Sequence, residues 1–129
     1  MDNRAGVLVC VTGQMTCERL IKEGAAIAAR SGGEIRVVHV AAPGQAILGN
    51  HREGEALEYL FRASGEAGAD MTVLRAADAG EALAALARDM RAGCVVVGAG
   101  RGRDGGVFAE RLRALLPGVD VRSVYEGRN

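Results

Sequence analysis

Cys94-Val95-Val96-Val97-Gly98-Ala99-Gly100-Arg101-Gly102-Arg103-Asp104-Gly105-Gly106 is the stretch on which the fold turns. Its opening run from Cys94 to Val97 is apolar without polar alternation, the pattern of a strand covered on both faces, which parallel sheets have and half-solvated antiparallel sheets lack. The run ends in glycines. Beyond them Phe108, Leu112 and Leu115 recur at helical spacing until Pro117-Gly118 stops the helix, and Val119 to Tyr125 reads as a strand. A strand, a glycine turn, a helix and a strand make one crossover unit.

The other end of the chain has the same order. Gly6-Val7-Leu8-Val9-Cys10-Val11 is a second unbroken apolar run, and it ends at Thr12-Gly13. Thr16 can cap the helix that follows, whose apolar stripe is Leu20, Ile21, Gly24, Ala25 and Ala28 and whose end is Ser31-Gly32-Gly33. Ile35 to Val40 is the next strand, stopped by Pro43-Gly44. Leu57, Leu60, Phe61 and Ser64 mark a second helix closed by Gly65 to Gly68, and Met71 to Leu74 a third strand. Asp78-Ala79-Gly80-Glu81 is a capping pattern: Asp78 accepts from an orphan amide and Glu81 reaches back to the cap. Leu83, Leu86, Ala87 and Met90 form the stripe of that third helix, which is expected to end near Gly93.

The order βαβαβαβαβ, without an internal repeat, predicts one α/β domain over residues 1–129: a five-stranded parallel sheet with helices on both faces, Rossmann-like. The first and fourth strands are the most apolar and belong at the centre, which gives the order 3-2-1-4-5 with the winding reversed between them. Ligands of open parallel sheets lie beyond the carboxyl ends of the strands at such a switch point. That places Thr12-Gly13 opposite the segment from Gly98 to Gly106.

Composition narrows the function classes. Sixteen basic residues balance sixteen acidic ones, so no electrostatic footprint for nucleic acid or an anionic bilayer exists. Lys22 is the sole lysine among them, which removes the usual Schiff-base residue from the loops. No apolar stretch approaches the roughly 18 to 20 residues of a membrane span, and no signal-peptide pattern opens the chain. Cys10, Cys17 and Cys94 are an odd set without CxxC spacing, read as reduced thiols of a cytoplasmic protein; Cys17, near a helix start, is the one candidate for reactivity.

Gly100, Gly102 and Gly105 satisfy GxGxxG, but after the fourth strand, whereas a dinucleotide site carries the fingerprint after its first strand with an acidic residue at the end of the next; here the following strand ends in Tyr125-Glu126. The physical content is more general. Bare glycine amides beside a helix N-terminus, with the charges of Arg101 and Arg103, suit a phosphate; the alternative is a flexible turn with solvated arginines. No GxxxxGK[ST] loop is present, so P-loop hydrolysis lacks its lysine and its magnesium ligand. His39, His51 and Asp104 are the only acid-base candidates near the loops, they form no triad, and the expectation is that the chain is not an enzyme. His39 is read as a partly buried histidine bonded to a backbone carbonyl. A phosphoryl receiver is excluded, because Thr12-Gly13 and Arg75-Ala76 stand where its acids belong.

Val7 to Gly13, Glu18-Arg19-Leu20-Ile21, His39-Val40, Glu81-Ala82-Leu83, Val95 to Gly98, Glu110-Arg111-Leu112 and Pro117-Gly118-Val119-Asp120-Val121, in that order, resemble the universal stress protein family, and more closely its branch fused to potassium-sensing histidine kinases of the KdpD type. The resemblance covers nearly the whole chain and implies an adenine nucleotide alpha hydrolase-like fold. It also implies a stress-response or regulatory module, a site for ATP, AMP or a cyclic dinucleotide, a signalling-protein partner, and a homodimer formed through the last strand. Val40 and Val97 match adenine-contacting positions of nucleotide-binding members, where the fourth strand ends in G-x2-G-x9-G-[ST]. Here Arg101 replaces the second glycine, Gly106 arrives about five residues early, Val107 replaces the hydroxyl residue, and Thr12 stands where an aspartate contacts the nucleoside. The departures imply a place for the base without a cradle for the triphosphate. Three readings stand: a weak adenine-nucleotide or phosphate-binding module, an interaction domain with an empty crevice, and a nucleotide-hydrolysing enzyme, the last disfavoured by the missing acids.

Overall fold

The apolar runs are strands and the helical stripes are helices. The structure, a computed structural model, describes residues 6–11, 18–41, 53–98 and 104–124. Along the chain these form β1 (Gly6–Cys10), α1 (Glu18–Ser31), β2 (Ile35–Ala41), α2 (Glu53–Glu66), β3 (Asp70–Arg75), α3 (Ala79–Asp89), β4 (Ala92–Gly98), α4 (Asp104–Leu115) and β5 (Asp120–Val124). The strands make one sheet in the order β3-β2-β1-β4-β5, and each neighbouring pair is parallel. This is the predicted topology.

Two cores result from the period-2 alternation of the strands. Val7, Val9, Val11, Val37 and Val96 face α1 and α2, where Leu20, Ile21 and Leu60 meet them. Leu8, Val38, Val95, Val97 and Val121 face α3 and α4, against Leu83, Ala87 and Leu112. A run such as Val95-Val96-Val97 feeds both cores at once, which is why it carries no polar residue. Each fully buried side chain of this size stabilises the fold by about 1.5–3 kcal/mol.

Glycine at one position sets how closely a helix approaches. A Cβ at Gly24 of α1 would overlap Val9 Cγ2 and lie 3.3 Å from Ile35 Cδ1. The missing side chain lets α1 seat directly on β1.

Three details differ from the expectation. The end of α3 falls at Asp89, not Gly93, and Arg91 takes the left-handed turn with φ 54°. Gly93 is instead inside β4, the extra residue at the register slip between the pairs Gly6–Ala92 and Val7–Cys94. The expected loop from Gly98 to Gly106 is cut short, because α4 begins at Asp104 and takes the backbone of Gly105, Gly106 and Val107 into its first turn. Phe61 is 50% exposed, while Leu60 and Ser64, four residues apart, hold the buried line of α2.

Candidate functional site

The carboxyl edge of the sheet is uneven. Cys10, the last residue of β1, pairs with Val38 on one side and Val97 on the other. From there β2 runs on through His39, Val40 and Ala41, paired to β3 as far as Ala41 and Arg75, whereas β4 stops one residue on at Gly98. The short central strand leaves a notch between its longer neighbour and β4. The described chain ends at Val11 after β1 and at Gly98 after β4, on adjacent strands, at the point where the winding reverses.

Val11 closes the floor. It is buried, its amide still donates to the Val38 carbonyl at 2.9 Å, and its own carbonyl lies 3.1 Å from His39 Nδ1. A carbonyl only accepts, so Nδ1 carries the proton and donates. The histidine, 9% exposed, is therefore bonded to a backbone carbonyl as expected, and the carbonyl it holds is the last before Thr12. β2 thus fixes the direction in which the chain leaves β1.

Of the residues singled out from the sequence, Val40, Val97 and Gly98 are described. Val40 and Val97 lie on the same sheet face, that of α3 and α4, with Cys10 between them. Val97 is buried, while Val40 and Cys10 are half-buried. They form an apolar shelf at the carboxyl edge. Gly106 and Val107 belong to the start of α4, and Thr12, Gly13, Gly100, Arg101 and Arg103 lie outside the described residues, as do His51 and Cys17. Cys10, which the sequence marks only as a reduced thiol, joins Val40 and Val97 through the strand register, which the sequence does not display.

α3 starts at the same edge. Asp78 Oδ1 accepts from the Glu81 amide at 3.1 Å, as the capping pattern requires, and Oδ2 accepts from Arg111 Nη2 of α4 at 2.7 Å. The return bond from Glu81 is not formed among the described residues. The Arg111 guanidinium beside Asp78, with the Glu81 amide second, holds this carboxyl below its ordinary range. Its charge is already matched. Elsewhere, burial pushes the Cys94 thiol up, consistent with a packing role. No group of three or more His, Cys, Asp or Glu among the described residues could hold a metal, and none of the described helices is long and apolar enough to cross a membrane. A recess lined by Ile21, Lys22, Ala63, Glu66 and Ala67 lies between α1 and α2, on the other sheet face from Val40 and Val97.

The half-buried Val40 and Cys10 leave apolar surface at this edge beside the buried Val97. Among known proteins, a match to the universal stress protein family spans residues 5–109. The chain belongs to the universal stress protein family. No curated protein matches it in sequence. Its backbone is similar to a universal stress protein solved in complex with cAMP, at TM-score 0.72 and 19% identity, covering 95% of this chain and 98% of that one. A universal stress protein from Archaeoglobus fulgidus gives TM-score 0.70 at 21% identity, with 92% of each chain covered. One from the same organism in complex with dAMP gives 0.63 at 20%, covering 95% and 98%. At such identities the likeness is one of fold.

Proposed function

We propose that this chain is a stress-response binding module, not a catalyst, whose notch at the ends of β1 and β4 takes an adenine nucleotide or a related phosphate ligand weakly. The observation that carries the reading is the apolar shelf of Val40, Cys10 and Val97 at the carboxyl edge, where β1 and β4 end side by side at the switch point. Universal stress proteins of similar fold in complex with cAMP and dAMP support an adenine base on that shelf. The glycines and arginines of 99–103 are the phosphate side of the proposal, and the paired β5 edges of two copies its quaternary side. Reduced cysteines fit a cytoplasmic setting, and the motif order favours the branch that works beside a sensor kinase as its signalling partner.

Calorimetry with ATP, AMP, cAMP and cyclic dinucleotides tests the reading, together with mass spectrometry of nucleotide carried through purification. Saturable heat with any of them supports it; silence at millimolar ligand refutes it. One observation favours a second reading, an interaction domain with an empty crevice: α4 begins at Asp104, so only residues 99–103 separate it from β4, a short span for wrapping a triphosphate.

A further inference from the structure

β5 is an edge strand, and the ladder's alternation shows which of its groups face outward. Val7 and Val11 donate to Glu34 and Val38 of the β2 side, while Gly6 donates to the Arg91 carbonyl of the β4 side. Odd residues of β1 therefore bond to β2 and even ones to β4. In a parallel pair a residue bonds to the two that flank its partner. With Cys10 paired to Val97 and Val95 paired to Val121, the alternation passes through β4 and turns the amides and carbonyls of Val121 and Ser123 away from the sheet. Such a row invites another strand.

One of these outward groups is taken. Arg113, in the last turn of α4, sends Nη2 to the Val121 carbonyl at 3.0 Å. Its other terminal nitrogen is 4.0 Å from Glu110 one turn back, a second resting place for the same guanidinium.

The side chains of β5 also specify a partner. Asp120 and Arg122 lie on one face of the strand, 2.8 Å apart. A two-fold axis at Val121, pairing β5 antiparallel with a second copy, sets Asp120 of each chain opposite Arg122 of the other and Val121 opposite Val121. Opposite charges directly across a strand pair are favourable. In that register the two Val121 residues exchange both backbone bonds, and each must accept on the carbonyl that Arg113 holds.

We infer that Arg113 is a latch on the β5 edge, and that a second copy of this chain pairs there only after the latch leaves. The inference rests on the dimeric part of the proposed function and adds its control. Both copies must release a guanidinium, so losing the latch tightens the dimer by roughly tenfold.

Sedimentation velocity over a concentration series of the full chain tests this with Arg113→Met, which keeps the apolar stem, with Ser123→Pro, which removes an outward amide that the ladder does not use, and with both together. The expected result is a dimer dissociation constant about tenfold lower for Arg113→Met than for the unsubstituted chain, and a monomer once Ser123→Pro is added. An unchanged constant in Arg113→Met overturns the latch. If Ser123→Pro alone still weakens the dimer in that case, the β5 interface stands without it. A dimer that survives both substitutions, or no dimer in any variant, overturns the latch and the interface together.

Discussion

Substituting Gly24 by alanine exposes what holds α1 against the sheet. A helix-interior glycine normally costs about 1 kcal/mol relative to alanine, so on propensity alone the change stabilises. Here the new methyl overlaps Val9 Cγ2, lies 3.3 Å from Ile35 Cδ1 and 3.7 Å from Val7 Cγ1, and Val9 is fully buried on a strand that has neighbours on both sides. Overpacking a site that cannot relax costs up to about 3 kcal/mol. The propensity gain offsets part of this, leaving a net loss of about 1–2 kcal/mol. Unfolding entropy of about 2.1 cal/mol/K per residue over the 129 residues converts that to roughly 4–7 °C in Tm. Gly65 near the end of α2 is the matched control. A Cβ there meets nothing within 4 Å, so Gly65→Ala raises Tm by about 1–2 °C for a gain near 0.5 kcal/mol. Thermal unfolding followed by circular dichroism measures both. If Gly24→Ala proves as stable as Gly65→Ala, the close seating of α1 on β1 is wrong.

Two further changes probe the connections. Arg91 occupies a left-handed turn that costs a side chain about 1–2 kcal/mol, more than the entropy glycine loses, so Arg91→Gly stabilises by about 0.5–1 kcal/mol; a loss of stability in urea denaturation rejects the turn assigned there. Asp78 has its folded pKa depressed, so the stability it contributes is present above its unfolded value of about 4 and is lost as pH falls through the folded value. Asp78→Asn keeps an acceptor for the Glu81 amide but not the charge that pairs with Arg111. Its Tm therefore falls less steeply than that of the unsubstituted chain between pH 5 and pH 2.5, and parallel curves discount the ion pair.

Much of this protein was legible in local patterns because those patterns answer to local physics. Val95-Val96-Val97 has no polar residue since it feeds two cores, and that alone implies a parallel sheet with helices on both faces. Asp78 and Glu81 mark a helix start through bonds that span three residues. A histidine inside an apolar strand calls for a backbone carbonyl, and Val11 supplies it to His39. The candidate site was legible only in part: Val40, Val97 and Gly98 sit at the notch, while Thr12, Gly13 and residues 99–103 lie outside what the structure describes.

By itself the amino-acid order determined the alternation of strands and helices, the central placing of the two most apolar runs, and hence which end of the sheet holds the notch. Tertiary structure alone decided which residues meet across it. Arg111 reaches Asp78 from 33 positions away, Gly93 sits at a bulge and not at a helix end, and Arg113 meets a carbonyl whose outward direction depends on the register of three consecutive strand pairs. Propensity and periodicity act within a few residues along the chain. Contacts of this kind exist only after loops have closed and helices have docked, so no neighbouring residue announces them.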